Sequence, residues 1–143
     1  MDKNWYVTSM QLNTLFDYYL HEGRKYMTHT VAAYGSLKRG FGNHRLLAQE
    51  PVTTGFTSEN NFTMHSLGPF PGVVHGGGDF IQVEVYQVDD EAFSRLDALE
   101  GHPNFYKRER IRIDGDDDTS YNAWLYIYQG NTDHSPVVEH GVW

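Results

Sequence analysis

Glu100 is the residue whose type and position could most readily do chemistry. Phe93, Leu96 and Glu100 fall at i, i+3 and i+7, so one helix face would carry two apolar side chains and a carboxylate. Gly101 and Pro103 follow in the order that ends helices, which puts Glu100 in the last turn. A carboxylate there opposes the helix dipole, and its apolar face-mates imply burial. Both effects raise its pKa toward the range useful for proton transfer at neutral pH. The competing reading is an exposed glutamate paired with Lys107 or Arg108, with no chemical role.

The second such stretch is Tyr34-Gly35-Ser36-Leu37-Lys38-Arg39-Gly40, which follows the apolar run Val31-Ala32-Ala33. Gly35 and Gly40 allow a sharp turn and a close backbone approach. Successive N–H groups on such a loop can converge on an anion such as a carboxylate. The plain alternative is an ordinary turn after a strand. The loop is not a Walker phosphate loop, because Phe41-Gly42 stands where Lys-Ser/Thr is required. Gly40-Phe41-Gly42 does not extend to a dinucleotide fingerprint, since Arg45 occupies the third glycine position. Ser36 lacks the Gly-x-Ser-x-Gly setting of a nucleophile elbow. The eight histidines show no helical ligand spacing, so a metal site is not expected.

Three motifs in order then point to a family. Tyr34 to Gly40, followed by Asn43-His44 and Leu46-Leu47, resembles the N-terminal signature of the γ-glutamylcyclotransferase-like family. Phe70-Pro71-Gly72-Val73 resembles its central motif. Leu96-Asp97-Ala98-Leu99-Glu100-Gly101-His102-Pro103, with Tyr106 and Arg108, resembles the segment bearing its catalytic glutamate. The short spacing is closer to the γ-glutamylamine cyclotransferase branch than to the longer glutathione-type branch.

The resemblance implies an intramolecular aminolysis. The α-amine of a γ-glutamyl unit attacks its own γ-carbonyl, closes a five-membered lactam and releases 5-oxoproline and an amine. Glu100 takes the catalytic position as general acid and base. Tyr34, Gly35, Ser36 and Leu37 hold the substrate α-carboxylate on their amides. Tyr106 matches a family tyrosine that shapes the pocket, although read by itself it is equally a core aromatic. No cofactor or metal is implied. Two alternatives stand beside this reading: the same chemistry on γ-glutamyl amino acids or peptides, and a non-catalytic binding module that keeps the pocket. Many relatives carry Gly before the glutamate of the long strand, where this chain has Val83-Glu84; a narrower pocket and a different substrate choice would follow.

Elements that could position these residues are legible along the chain. Thr8-Ser9-Met10-Gln11 can form a capping box ahead of Leu12, Leu15, Phe16 and Tyr19, which predicts a helix over about 9–21. Residues 1–27 thus read as an N-terminal helical extension and 28–143 as the domain proper. The extension packs on its own domain or makes a dimer or partner contact. Asn43 to Gln49 predicts one or two helical turns, and strands are expected over 52–58 and 61–66. Residues 68–72 are expected to be irregular, and Gly76-Gly77-Gly78 a flexible link. Ile81, Val83 and Val85 alternate with Gln82, Glu84 and Tyr86, the pattern of a strand with one apolar face. Asp89 or Asp90 caps the Glu100 helix. Strands follow over 105–113 and 121–128, and the last dozen residues show no period and are expected to be partly disordered. Many short strands with few short helices make a mainly β, α+β domain. The resemblance sharpens this to a small mixed β-barrel with the helices packed outside.

A net charge of −8 argues against nucleic acid, which requires a basic face. The absence of cysteine excludes disulfides and a thiolate nucleophile. No apolar stretch reaches the length of a membrane span, and no signal peptide is visible. The expectation is a cytoplasmic protein acting on a small-molecule γ-glutamyl substrate, without a membrane partner.

Overall fold

A computed structural model describes residues 27–35, 38 and 49–143. The described elements are β1 (Thr28–Ala33), β2 (Thr53–Thr57), β3 (Phe62–Ser66), β4 (Pro71–His75), β5 (Gln82–Asp89), α1 (Asp90–Glu100), β6 (Tyr106–Gly115), β7 (Ser120–Tyr128) and β8 (Val137–Val138), followed by a 3-10 turn, Glu139–Gly141. The expected helix over 9–21, and all but Gln49 of the one over 43–49, lie outside the described residues.

Five strands close on themselves. β1 runs antiparallel to β5, β5 to β2, β2 to β6 and β6 to β7. β7 then pairs in parallel with β1 at Val31↔Trp124 and Ala32↔Leu125, completing the ring. The small mixed barrel expected from the sequence is therefore present. Its interior holds Ala32, Met64, Val73, Ile81, Val83, Val85, Ile113, Ala123, Leu125 and Ile127. α1 lies outside, where Phe93 and Leu96 cover Val31, Tyr86, Val88 and Tyr126.

β7 serves two neighbours along one edge. Beyond its short pairing with β1 it pairs in parallel with β4 at Val73↔Ile127, and β3 and β8 extend the sheet from there. β1 must leave β7 where β4 arrives, so the wall forks. The ladder hydrogen bonds missing at the fork are replaced by a side chain. The buried Tyr34 hydroxyl donates to the Tyr126 carbonyl at 2.6 Å and accepts from the Val73 N–H at 3.1 Å. Buried backbone groups need such partners.

Several local expectations require correction. The stretch 68–72 is not irregular throughout, because β4 starts at Pro71, and the first position of a strand tolerates proline. The 76–78 link is pinned: Gly76 N–H donates to Asn61 O at 2.8 Å, and Phe62 bridges to Asp79. Both faces of β5 are covered, Val83 and Val85 by the barrel interior and Tyr86 and Val88 by α1. The C-terminal residues are ordered by pairing: β8 joins β3 at Met64↔Val138 and His65↔Val137, and Trp143 packs on the barrel core. No helix among the described residues is long and apolar enough to cross a membrane.

Candidate active site

The fork opens a cavity of about 180 Å³ in the barrel wall. Its lining draws on the end of β1, the start of β4, the end of α1, the start of β6 and β7. Tyr34, Gly35, Glu100 and Tyr106, all singled out from the sequence, meet there. Ser36 and Leu37 lie outside the described residues, so half of the expected anion-binding loop has no described geometry. What is described is a turn, in which Lys38 N–H donates to Gly35 O at 2.9 Å. Gly35 also meets Pro71, whose ring carbons would stand 3.1 Å from an added Cβ. A side chain at position 35 would therefore press on the mouth of β4.

Glu100 owes its place to the ends of its helix. Asp89 caps the start by accepting from Ala92 N–H at 2.8 Å. The other end closes with a paired motif: Gly101 N–H donates to Ala98 O and His102 N–H to Asp97 O. Gly101 is left-handed, at φ 63, and an added Cβ would also lie 2.9 Å from Phe105 Cβ. Asn104 and Phe105 N–H both return to Gly101 O, folding the chain back so that Phe105 stands beside Glu100 at the cavity.

One turn before Glu100, Asp97 ties this end of the helix to the sheet. Arg108 grips it bidentately at 2.9 and 3.0 Å, and the Tyr126 hydroxyl donates to it at 2.7 Å. The guanidinium is held between the Phe93 and Trp124 rings, 4.4 and 4.5 Å from their centres. Burial works to raise the Asp97 pKa, but the bonds from Arg108 and Tyr126 outweigh it and hold the carboxyl below its ordinary value. The exposed-pair alternative for Glu100 is thus excluded as regards Arg108, whose partner is Asp97.

No hydrogen bond or ion pair from the described residues compensates the Glu100 carboxylate. Burial alone pushes its pKa from 4.5 to about 7. The three phenols around it are driven the other way from usefulness. Burial raises Tyr34, Tyr106 and Tyr126, and the nearby Glu100 charge adds to each shift. Their protons are also committed, Tyr34 to Tyr126 O, Tyr106 to Pro71 O at 2.6 Å and Tyr126 to Asp97. They brace the cavity as neutral scaffolding. Glu100 is left as the one described lining group that can take up and return a proton near pH 7.

A family model for gamma-glutamyl cyclotransferase, AIG2-like, matches residues 31–143. The chain belongs to this family. The γ-glutamylcyclotransferase family protein YtfP of Escherichia coli K12 is 34% identical over 114 residues, covering 79% of this chain and 94% of that one. The solution structure of E. coli YtfP matches with a TM-score of 0.54 at 30% identity, over 80% of this chain and 95% of that one. An AIG2-like protein from Mus musculus shares the fold at a TM-score of 0.70 and 23% identity, over 79% of this chain and 87% of that one.

Val83 proves to be interior core rather than cavity lining, so the Val83-Glu84 departure does not narrow the described cavity. Sequence reasoning passed over Tyr126, Leu99 and Phe105. Tyr126 could have been found from the alternation Trp124, Tyr126, Tyr128, which marks one aromatic face of β7. Leu99 and Phe105 carry no such signal, because the turn at Gly101 brings them together. Asn43 and His44 lie outside the described residues.

Proposed function

We propose that this protein is a γ-glutamylamine-type cyclotransferase with Glu100 as its general acid and base. The observation that supports this most strongly is a cavity-lining carboxylate that has no hydrogen-bond or ion-pair partner among the described residues and that burial raises to a pKa of about 7. At neutral pH an aliphatic amine is mostly protonated, and the ammonium cannot attack. Glu100, raised by burial to a pKa of about 7, takes one proton from the neutral α-amine, which has already given its ammonium proton to solvent, as its nitrogen bonds to the γ-carbonyl carbon. The proton then passes to the amide nitrogen as the C–N bond breaks, so that 5-oxoproline and a free amine leave and Glu100 is ionised again. Ring closure supplies proximity, and the protein has only to bend the substrate and manage protons.

The substrate α-carboxylate would sit against the amides of Tyr34 to Leu37, with Tyr106 as a wall. A purely binding module has no use for a carboxylate held in this costly state, which favours the enzyme. The test is incubation with γ-glutamyl amides, scored for 5-oxoproline by mass spectrometry, with Glu100→Gln as control. Glutamine keeps the shape but accepts no proton from the attacking amine, so turnover should fall by about 10²–10⁴ with the substrate still bound. Near-normal 5-oxoproline from a folded Glu100→Gln variant would overturn the assignment, and no product from any amide with the native chain would overturn the enzyme reading.

A further inference from the structure

A buried polar cluster stands beside the site and takes no part in the mechanism above. Lys38 and Glu84 are 8% and 7% exposed, although lysine and glutamate are almost never fully buried unless paired. Glu84 lies opposite Ala33, the last residue of β1, and so at the point where the Gly35 turn leaves the sheet. The Tyr86 hydroxyl, also buried, donates to its Oε1 at 2.7 Å. Burial lowers the Lys38 pKa, and the Glu84 charge opposes that shift. Lys38 Nζ also donates to the Trp143 carbonyl at 3.3 Å, and Trp143 packs on the barrel core. The main chain of the same lysine closes the turn, because Lys38 N–H donates to Gly35 O at 2.9 Å. One end of this turn is thus Gly35, which lines the cavity against Pro71, and the other is Lys38, whose side chain is sunk into the body of the domain.

We propose that Lys38 is a positioning residue: Glu84 and the Trp143 carbonyl hold its ammonium, and the ammonium holds the far end of the Gly35 turn, which sets the loop amides for an anion. Lys38 does not line the cavity, so it acts through the backbone. That the anion is a γ-glutamyl α-carboxylate rests on the cyclotransferase reading; that Lys38 anchors the turn does not. A turn held only by its own hydrogen bond opens readily, since such a bond is worth little net of water. Tying the lysine into the interior fixes the turn before the substrate arrives, so less ordering is left to be done on binding.

The test separates anchoring from stability. Lys38→Met removes the charge and leaves Glu84 buried without it, so the urea midpoint should fall and KM for γ-L-glutamylmethylamide should rise. Adding Glu84→Gln neutralises both positions and should restore the midpoint, while KM stays raised on the order of tenfold and kcat stays within about threefold of native. Glu84→Gln alone keeps an oxygen for the Tyr86 hydroxyl and the bond from Lys38 to Trp143 O, and should raise KM less. Amide hydrogen exchange at position 38, followed by NMR without substrate, should quicken by about the same factor as KM rises, because its bond to Gly35 O opens more often. A KM that returns to the native value with the midpoint, or native exchange at position 38 in the folded variants, would overturn the positioning role. Faster exchange there, in a protein whose native form makes no 5-oxoproline, would keep the anchor and overturn the cyclotransferase.

Discussion

Replacing Glu100 by glutamine should change stability in a way that depends on pH, and the dependence can be worked out in advance. Burial raises the Glu100 pKa from 4.5 in the open chain to about 7 in the fold. Below pH 4.5 the group is neutral in both states and imposes nothing. Between 4.5 and 7 the unfolded chain releases a proton that the folded one keeps, so stability falls as pH rises. Above 7 the folded protein carries a buried charge, and the loss is complete. The gap between 4.5 and about 7, at about 1.4 kcal/mol per pH unit, comes to about 3 kcal/mol. Glutamine removes the charge and with it the loss. Glu100→Gln should thus be close to the native chain in stability at pH 4 and more stable by about 3 kcal/mol at pH 8. Urea unfolding of both proteins at the two pH values measures this, and the difference between proteins cancels the titration of every other group. A stability difference that stays the same at pH 4 and pH 8 would refute the burial argument, whatever happens to activity.

Other perturbations probe the supports of the site. Tyr34→Phe removes the hydroxyl that joins Tyr126 O to Val73 N–H and leaves both buried groups unpaired, a loss of about 1–3 kcal/mol. Thermal unfolding should show a midpoint lower by roughly 3–10 °C. Asp97→Asn breaks the bidentate Arg108 contact and loosens the turn that carries Glu100, so kcat for 5-oxoproline formation should fall more than KM changes. Because the Asp97 pKa is held low, its contribution to stability is present above the ordinary carboxylate range and lost as pH falls, which acid titration of native and Asp97→Asn proteins can read. On the proposed mechanism, kcat/KM of the native chain should rise with pH through about 7 as Glu100 ionises, and a flat profile from pH 5.5 to 8 would count against a base of this pKa. A chain beginning at Met27 should keep a cooperative unfolding transition by circular dichroism, and its loss would place residues 1–26 within the core.

The part of the site that could be read from sequence is the part that depends on local chemistry. The α1 boundaries follow from Asp89, Gly101 and Pro103, and the apolar spacing of Phe93 and Leu96 put Glu100 on the buried face before any coordinates did. β6 and β7 show their hairpin in the acidic tip between them. What sequence could not give is set by long-range closure. Val83 and Tyr86 look like opposite, unequal faces of a one-sided strand, yet both are buried, because α1 covers the side that alternation assigns to water. Pro71 looks like a break in structure, but it is the first residue of a strand that pairs with β3 and, at Val73, with the remote β7. Arg108 reads as a solvent-facing charge or a partner for Glu100. Its actual place between Phe93, Trp124 and Asp97 needs the helix and two strands to have met.

The fork in the wall explains why the demands of the cavity and of the sheet fall on the same few residues. A barrel whose seventh strand kept one neighbour along its whole edge would have no opening there, and Glu100 would face a continuous ladder. Dividing that edge between β1 and β4 exposes backbone groups of both strands to the interior. Those groups must be satisfied without filling the space. A phenol does this well, since its ring packs as core while its oxygen both donates and accepts. Tyr34 takes that part between β7 and β4, and Tyr106 satisfies Pro71 O by donation alone. The same rings keep water away from Glu100, and that exclusion raises its pKa. Closing the gap in the sheet and tuning the carboxylate are therefore consequences of one arrangement, so a substitution that relieves one should disturb the other.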